Sequence, residues 1–231
     1  MYRSTLLLTS LLLSTSTAVL VDYQSNFTAA ACSCANTNDT GASTGSAYIC
    51  RDPRLGPTQL PTVFPLLSFV SNYDRFGGLQ PGEFLARWTD NATGNYRYPP
   101  QNGFQLDLGG RPILGNMSLL PGMQVDRFGS EYGSFISAAD APYAQRALPP
   151  ASLDTSPTAP EYPYSYHVYT VRKRLDVLGG PIAPWFGQPG LGVQFFTGAI
   201  GNVMTLIQMG FLERDNITAM VAGSGTGGTC G

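Results

Sequence analysis

The chain has 231 residues, 43% of them hydrophobic and only 12% charged, with a formal net charge of -2. That is enough for one large domain with a real core, and no long basic run is present to neutralise a nucleic acid backbone, which argues against that class of partner. With 27 glycines and 18 prolines, long helices are disfavoured, and many turns and short strands are expected.

The chain opens with MYRSTLLLTSLLLSTSTAVLV, a positive start, an apolar run and small residues up to Ala18. This is the pattern of a secretory signal over residues 1–18. A membrane anchor is the competing reading. The densest apolar part is short and broken by Ser and Thr, which favours the signal. No later segment could span a membrane. Five sequons agree with secretion: Asn26, Asn38, Asn91, Asn116 and Asn216. As glycan acceptors, all five are expected to face solvent.

Residues 19 to 48 are polar and small, as a glycosylated loop region would be. The cysteines are Cys32, Cys34, Cys50 and Cys230. An oxidising compartment favours pairing. Cys32 and Cys34 are too close for an easy, unstrained bridge to each other. Two patterns stay open: Cys32–Cys50 with Cys34–Cys230, or Cys34–Cys50 with Cys32–Cys230. An unpaired Cys230 joining a second chain is the rival to both. One histidine and no CxxC speak against zinc.

Next comes YICRDPRLGPTQLPTVFPLLSF, apolar and punctuated by proline, which should pack onto the main body. PGEFLARW over 81–88 predicts a short helix opening at Pro81. From about residue 95 the texture changes to strands and turns. MQVDRF and YHVYTVRK read as strands. In the second, His167, Tyr169 and Val171 share one face, and Tyr166 and Val168 the other. Aromatics on both faces predict burial on both sides. GVQFF is another strand. In TGAIGNVMTLIQMGFL, Ile200, Val203, Met204, Ile207 and Phe211 recur at helical spacing, with Gly210 as the stop. The tail AGSGTGGTCG is expected to be flexible unless Cys230 pins it.

Hydrolase machinery of the common kinds is scarce. A Ser-His-Asp triad would have to use His167, yet no GxSxG elbow appears. There is no HExxH and no Walker loop. GQPGLG precedes a strand instead of opening a helix, so it is not a dinucleotide fingerprint. Two arginines remain in segments marked by Pro and Gly: Arg127 in DRFG and Arg146 in YAQRALPP. A guanidinium fork suits a diphosphate because it donates two hydrogen bonds at once. Gly129 leaves room for the backbone to approach a ligand. Phe128, Tyr132, Phe135 and Trp185 offer flat faces for a base or a pyridinium ring, and Gln194 a neutral amide. Taken alone, these arginines are more safely read as turn packing and surface ion pairs.

In order, the segments YRYPPQNGF, LPGMQVDRFGSEYGSFISAADAPYAQRALPP, YPYSYHVYTV and GPIAPWFGQPGLGVQF resemble the tuberculosis necrotizing toxin (TNT) domain. The likeness is greatest to its secreted fungal branch, the NAD glycohydrolases of fungal spore surfaces. It runs from about Trp88 to Leu212. The resemblance implies an α+β, mostly β fold: a small central sheet, short helices and a disulfide-stapled N-terminal segment. Residues 19–87 would be that segment, 88–213 the TNT-like domain, and 214–231 a Gly-rich tail.

The resemblance also implies hydrolysis of NAD+ to nicotinamide and ADP-ribose, with NADP+ as a second substrate. The family's diphosphate-contacting arginines match Arg127 and Arg146, its cleft aromatics Phe128 and Phe135, and its glutamine near the scissile bond Gln194. A family histidine matches His167, although a structural histidine is the favoured reading on that strand. No cofactor is required by this chemistry. Fungal relatives can hold calcium in an acid-rich tail. Here Glu213 and Asp215 are the last acids, so a calcium site built from residues 216–231 is not expected. Secretion, retention at the cell or spore surface and a homodimer are further implications. Two alternatives stay open: an ADP-ribosyltransferase using Glu131, and a non-catalytic surface protein on the same fold.

Overall fold

The computed structural model describes residues 33–37 and 46–217. Its centre is one seven-stranded sheet in which every pairing is antiparallel. The strands are β1 (Gly115–Leu119), β2 (Gln124–Phe128), β3 (Phe135–Ala138), β4 (Tyr166–Val171), β5 (Leu175–Pro181), β6 (Val193–Phe196) and β7 (Leu212–Arg214). They lie in the order β1-β5-β6-β3-β2-β4-β7. The helices are short, as the proline and glycine content requires: α1 (Leu66–Val70), α2 (Pro81–Trp88), α3 (Tyr143–Arg146) and α4 (Val203–Gln208).

Each face of the sheet is covered by apolar side chains. Alternation along the strands sends Val125, Ile136, Tyr169, Val171 and Phe195 to one face, where Val203 and Leu206 of α4 pack against them. Phe128 and Tyr166 belong to the other face and meet Leu66, Phe69 and Val70 of α1, together with Tyr143 and Leu153. Fully burying one such side chain is worth about 1.5–3 kcal/mol. β4 is therefore buried on both sides, as its aromatics predict, and β2, β4 and β6 occupy the predicted segments.

The N-terminal segment adds a third cluster. Ile49, Leu55, Phe76, Phe84 and Leu85 pack with Phe186, which follows β5 in the chain. Helix α2 spans the predicted residues. Pro81 sits in its first turn, and the Glu83 carboxylate accepts the Gln80 N–H at 3.0 Å. Cys34 is bonded to Cys50, which excludes Cys32–Cys50 with Cys34–Cys230. Cys32 and Cys230 lie outside the described residues, as do the signal over 1–18, Asn26, Asn38 and the tail beyond 217. Asn91, Asn116 and Asn216 are exposed. Among the described residues no helix is long and apolar enough to cross a membrane.

Helix α4 corrects the predicted stripe. It begins only at Val203, because the Asn202 side chain caps it by accepting the Thr205 N–H at 2.9 Å. Ile200 and Phe211 reach the core from the flanking turns, and the buried helical positions are Val203 and Leu206. Gly210 does follow its end, at φ +70°.

Candidate active site

Strands β2, β3 and β6 lie side by side, and their registers gather polar groups from distant parts of the chain. Asp126 of β2 pairs with Ser137 of β3, and Ser137 with Gln194 of β6. Cross-strand partners point to the same face, so these three side chains share one side of the sheet. A cleft of about 670 Å³ opens there, closed on its other sides by residues 96–103 and 146–152.

Asp126 and Arg146 form the floor. The Arg146 fork donates to both Asp126 carboxylate oxygens, at 2.5 and 2.7 Å, and its Nε donates to the Ala141 carbonyl at 2.9 Å. The Tyr166 hydroxyl donates to Asp126 at 3.0 Å. Arg146 also lies over the Phe128 ring, 5.1 Å from its centroid. Both charges are sealed, with side-chain exposures of 2% and 0%. Burial pushes the Asp126 carboxyl up, against the pull of Arg146 and Tyr166. Arg146 thus lines the cleft with its charge already compensated.

Arg127 is different. It leaves β2 on the opposite face from Asp126, lies against the first residue of β3 and is among the residues lining the cleft. Its Nε donates to the Ser130 carbonyl at 2.6 Å and its Nη1 to the Phe135 carbonyl at 2.7 Å. Nη2 makes no hydrogen bond among the described residues and is not sealed from solvent. Burial lowers the Arg127 pKa, opposed by Tyr169, Tyr98 and Glu131. No carboxylate pairs with it directly. Gly129, at φ +91°, turns the chain out of β2 beside it.

Gln194 is pinned from one side only. Its Nε2 donates to the Asn102 carbonyl at 2.9 Å, and its Oε1 takes no hydrogen bond among the described residues. Phe135 is half-buried and tilted against Phe196, with ring centroids 5.0 Å apart. Phe128 lines the cleft but is only 3% exposed, and its ring belongs to the core with Tyr143 and Tyr166.

The cleft therefore brings together Arg127, Phe128, Gly129, Phe135, Arg146 and Gln194. Three other sequence candidates lie outside it. Tyr132 is 76% exposed on the outer side of its loop. Trp185 packs on Trp88 at 5.3 Å and donates its indole N–H to the Arg97 carbonyl. His167 is buried beside Tyr162, with centroids 4.3 Å apart, and its Nδ1 has no hydrogen-bond partner. Burial lowers its pKa, partly offset by Glu131. Glu131 does not line the cleft either; Arg214 and Tyr169 hold it behind the loop.

Sequence reasoning missed three contributors. Asp126 is invisible as a partner because its arginine lies in another element. Asn102 acts through its carbonyl, which residue type does not encode. Tyr98, 63% exposed at the cleft wall and close enough to Arg127 to feel its charge, stands in the YRYPPQNGF segment without an assigned role. Among the described residues no three metal-ligating side chains gather into a site.

Fold and cleft define a small antiparallel α+β domain with one accessible cationic fork and one amide facing a common space. The chain belongs to the tuberculosis necrotizing toxin family, whose model matches residues 118–214. Over 169 residues it is 55% identical to the conidial surface nicotinamide adenine dinucleotide glycohydrolase nadA of Aspergillus fumigatus, covering 72% of this chain and 70% of that protein. The solved structure of tuberculosis necrotizing toxin with its immunity factor is 22% identical, with a TM-score of 0.46 over 65% of this chain and 83% of that one.

Proposed function

We propose that this protein is a secreted NAD+ glycohydrolase that cleaves the bond between nicotinamide and ribose. The observation that carries this reading is the meeting of Arg127 and Gln194 in one cleft, each with a polar end left free. The 55% identical relative, named as a glycohydrolase of this dinucleotide, supports it.

The chemistry suits these residues. Nicotinamide leaves a cationic ring as a neutral molecule when the C1′–N bond breaks, so no proton need be delivered to it. Water then bonds to C1′ and loses its proton to solvent. What the protein must supply is placement and a site stabilising an oxocarbenium-like transition state. Arg127 would hold the diphosphate through Nη2. Arg146, neutralised by Asp126, gives the floor a fixed dipole instead of a free charge. Phe135 would wall the nicotinamide end, and Gln194 Oε1 would orient the ribose or the attacking water.

Acceptance of NADP+, a homodimer, retention at the cell surface and glycans on Asn91, Asn116 and Asn216 belong to the same proposal. It requires no resident cofactor. Nicotinamide release from NAD+, with and without a calcium chelator, tests it. Gln194→Ala should lower turnover by about 100-fold while leaving the fold intact, the scale expected for a positioned polar group at a reacting centre. A wild type that is well folded and inert would sink the proposal. A fully active Gln194→Ala would sink only the role given to that side chain.

A further inference from the structure

We infer that Glu131 is a positioning residue for Arg127: its carboxylate anchors the loop over residues 129–134, which helps hold the guanidinium in the cleft. This rests on the glycohydrolase reading, since it assumes that Arg127 serves the diphosphate.

Arg127 has no carboxylate of its own. It is aimed by two carbonyls, that of Ser130 in the loop and that of Phe135 at the first residue of β3. Carbonyls on a loop can aim a cation only as well as the loop is held. The same loop carries Gly133 against the guanidinium, where a Cβ would overlap Nη2. The loop's end is tied by Thr197, whose N–H and hydroxyl donate to the Ser134 carbonyl, and its middle by Glu131. Its Oε1 accepts from the Tyr169 hydroxyl at 2.8 Å and from Arg214 Nε at 2.8 Å. Its Oε2 accepts from Arg214 Nη2 at 2.6 Å.

The backbone adds two ties to α4. The Met204 N–H donates to the Glu131 carbonyl at 3.1 Å, and the Val203 N–H to that of Gly133 at 3.0 Å. One carboxylate thus joins β4, β7 and the loop. The side chain is 13% exposed and faces away from the cleft, so it acts on substrate only through Arg127. Burial raises its pKa, but the hydrogen bonds from Arg214 and Tyr169 outweigh that, and the carboxyl stays below its ordinary value. His167 lies across the sheet from Arg127, its Nδ1 3.7 Å from Glu131 Oε1, so removing the carboxylate would also leave Arg214 uncompensated beside it.

A double-mutant cycle decides the matter. Glu131→Gln keeps the shape and removes the charge. In the wild-type background it should lower kcat/KM by about tenfold, the scale of a hydrogen bond to a charged group. It should weaken ADP-ribose binding by a similar factor and leave nicotinamide binding unchanged. In an Arg127→Ala background the same substitution should have no further effect on ADP-ribose binding. Equal losses in both backgrounds would overturn the inference, because a merely structural glutamate acts whether or not Arg127 is present.

Amide exchange gives a readout that needs no activity. Residues 130–134 should exchange faster in Glu131→Gln while the strands stay protected, and unchanged exchange would overturn the anchor. Should Glu131→Gln fail to fold, Arg214→Lys and Tyr169→Phe each remove part of the same anchor and enter the same cycle. An inert wild type fails the glycohydrolase reading alone and leaves loop exchange to decide the anchor.

Discussion

The two arginines of the cleft carry the same group and are treated in opposite ways. Arg146 is buried and paired: each of its three side-chain nitrogens donates to Asp126 or Ala141, and the guanidinium lies over the Phe128 ring. Arg127 is held by neutral carbonyls and keeps Nη2 open. The difference teaches where stability and function separate. A charge neutralised in the core fixes the geometry of the floor. A charge held by dipoles remains available to an anionic ligand. Loss of either residue would lower activity, but for different reasons.

The largest effect that would test this contrast is on the floor. Asp126→Asn leaves the buried Arg146 charge without its countercharge, and breaking a buried pair from one side costs about 3–5 kcal/mol. The urea midpoint should fall accordingly, with activity lost through unfolding. Replacing both partners, as Asp126→Leu with Arg146→Met, should recover most of that stability without recovering turnover. If Asp126→Asn is as stable as wild type, the floor is not the closed pair described above.

On the Arg127 side the expected balance is reversed. Gly133 has an ordinary backbone φ, so alanine is tolerated there by the chain itself. The three atoms nearest to an added Cβ all belong to the guanidinium of Arg127, the far end of a flexible side chain. Gly133→Ala should therefore move Arg127 out of place and lower kcat/KM by about tenfold or more, with stability changed by less than about 1 kcal/mol. Full activity in this variant would show that the present position of Arg127 is not required.

How much of this could be read in the sequence follows from the reach of each signal. Strand β4 was legible because alternation has a period of two and both of its faces carry aromatics. Helix α2 was legible because Pro81 marks its first turn. Helix α4 was over-extended because Ile200 and Phe211 pack on the core at helical spacing without being helical. The cleft residues Arg127, Phe135 and Gln194 were candidates by residue type, but only the family resemblance put them in one site, since no local pattern brings β2, β3 and β6 together. Trp185 carries the right ring in a matching segment, but the Arg97 carbonyl and Trp88 fix it elsewhere. Asp126 and Glu131 were out of reach as partners, because an ion pair between elements is written in the topology and not in the spacing.

The smallest effect lies behind the cleft wall, where a third arrangement contrasts with both arginines of the cleft. Arg75 is 1% exposed, and its Nε and Nη2 have no hydrogen-bond partners. Asp154, just after the Pro150–Leu153 turn, has an Oδ1 that is also buried and unpartnered. Burial pushes the Asp154 carboxyl up to about 7, with Arg75 pulling against it. A carboxyl raised on folding binds more protons folded than unfolded between the two pKa values. Its contribution to stability is then fully present below the unfolded value and is lost as pH rises through about 7. Asp154→Asn removes that loss. Its melting temperature should exceed that of wild type by about 2–4 °C at alkaline pH, the scale of roughly 1 kcal/mol in a chain of this size. The gap should close in acid, where wild-type Asp154 is already neutral. Thermal melts of both proteins at the two ends of that range read the difference directly, and parallel curves would show that burial of Asp154 carries no pH-dependent cost.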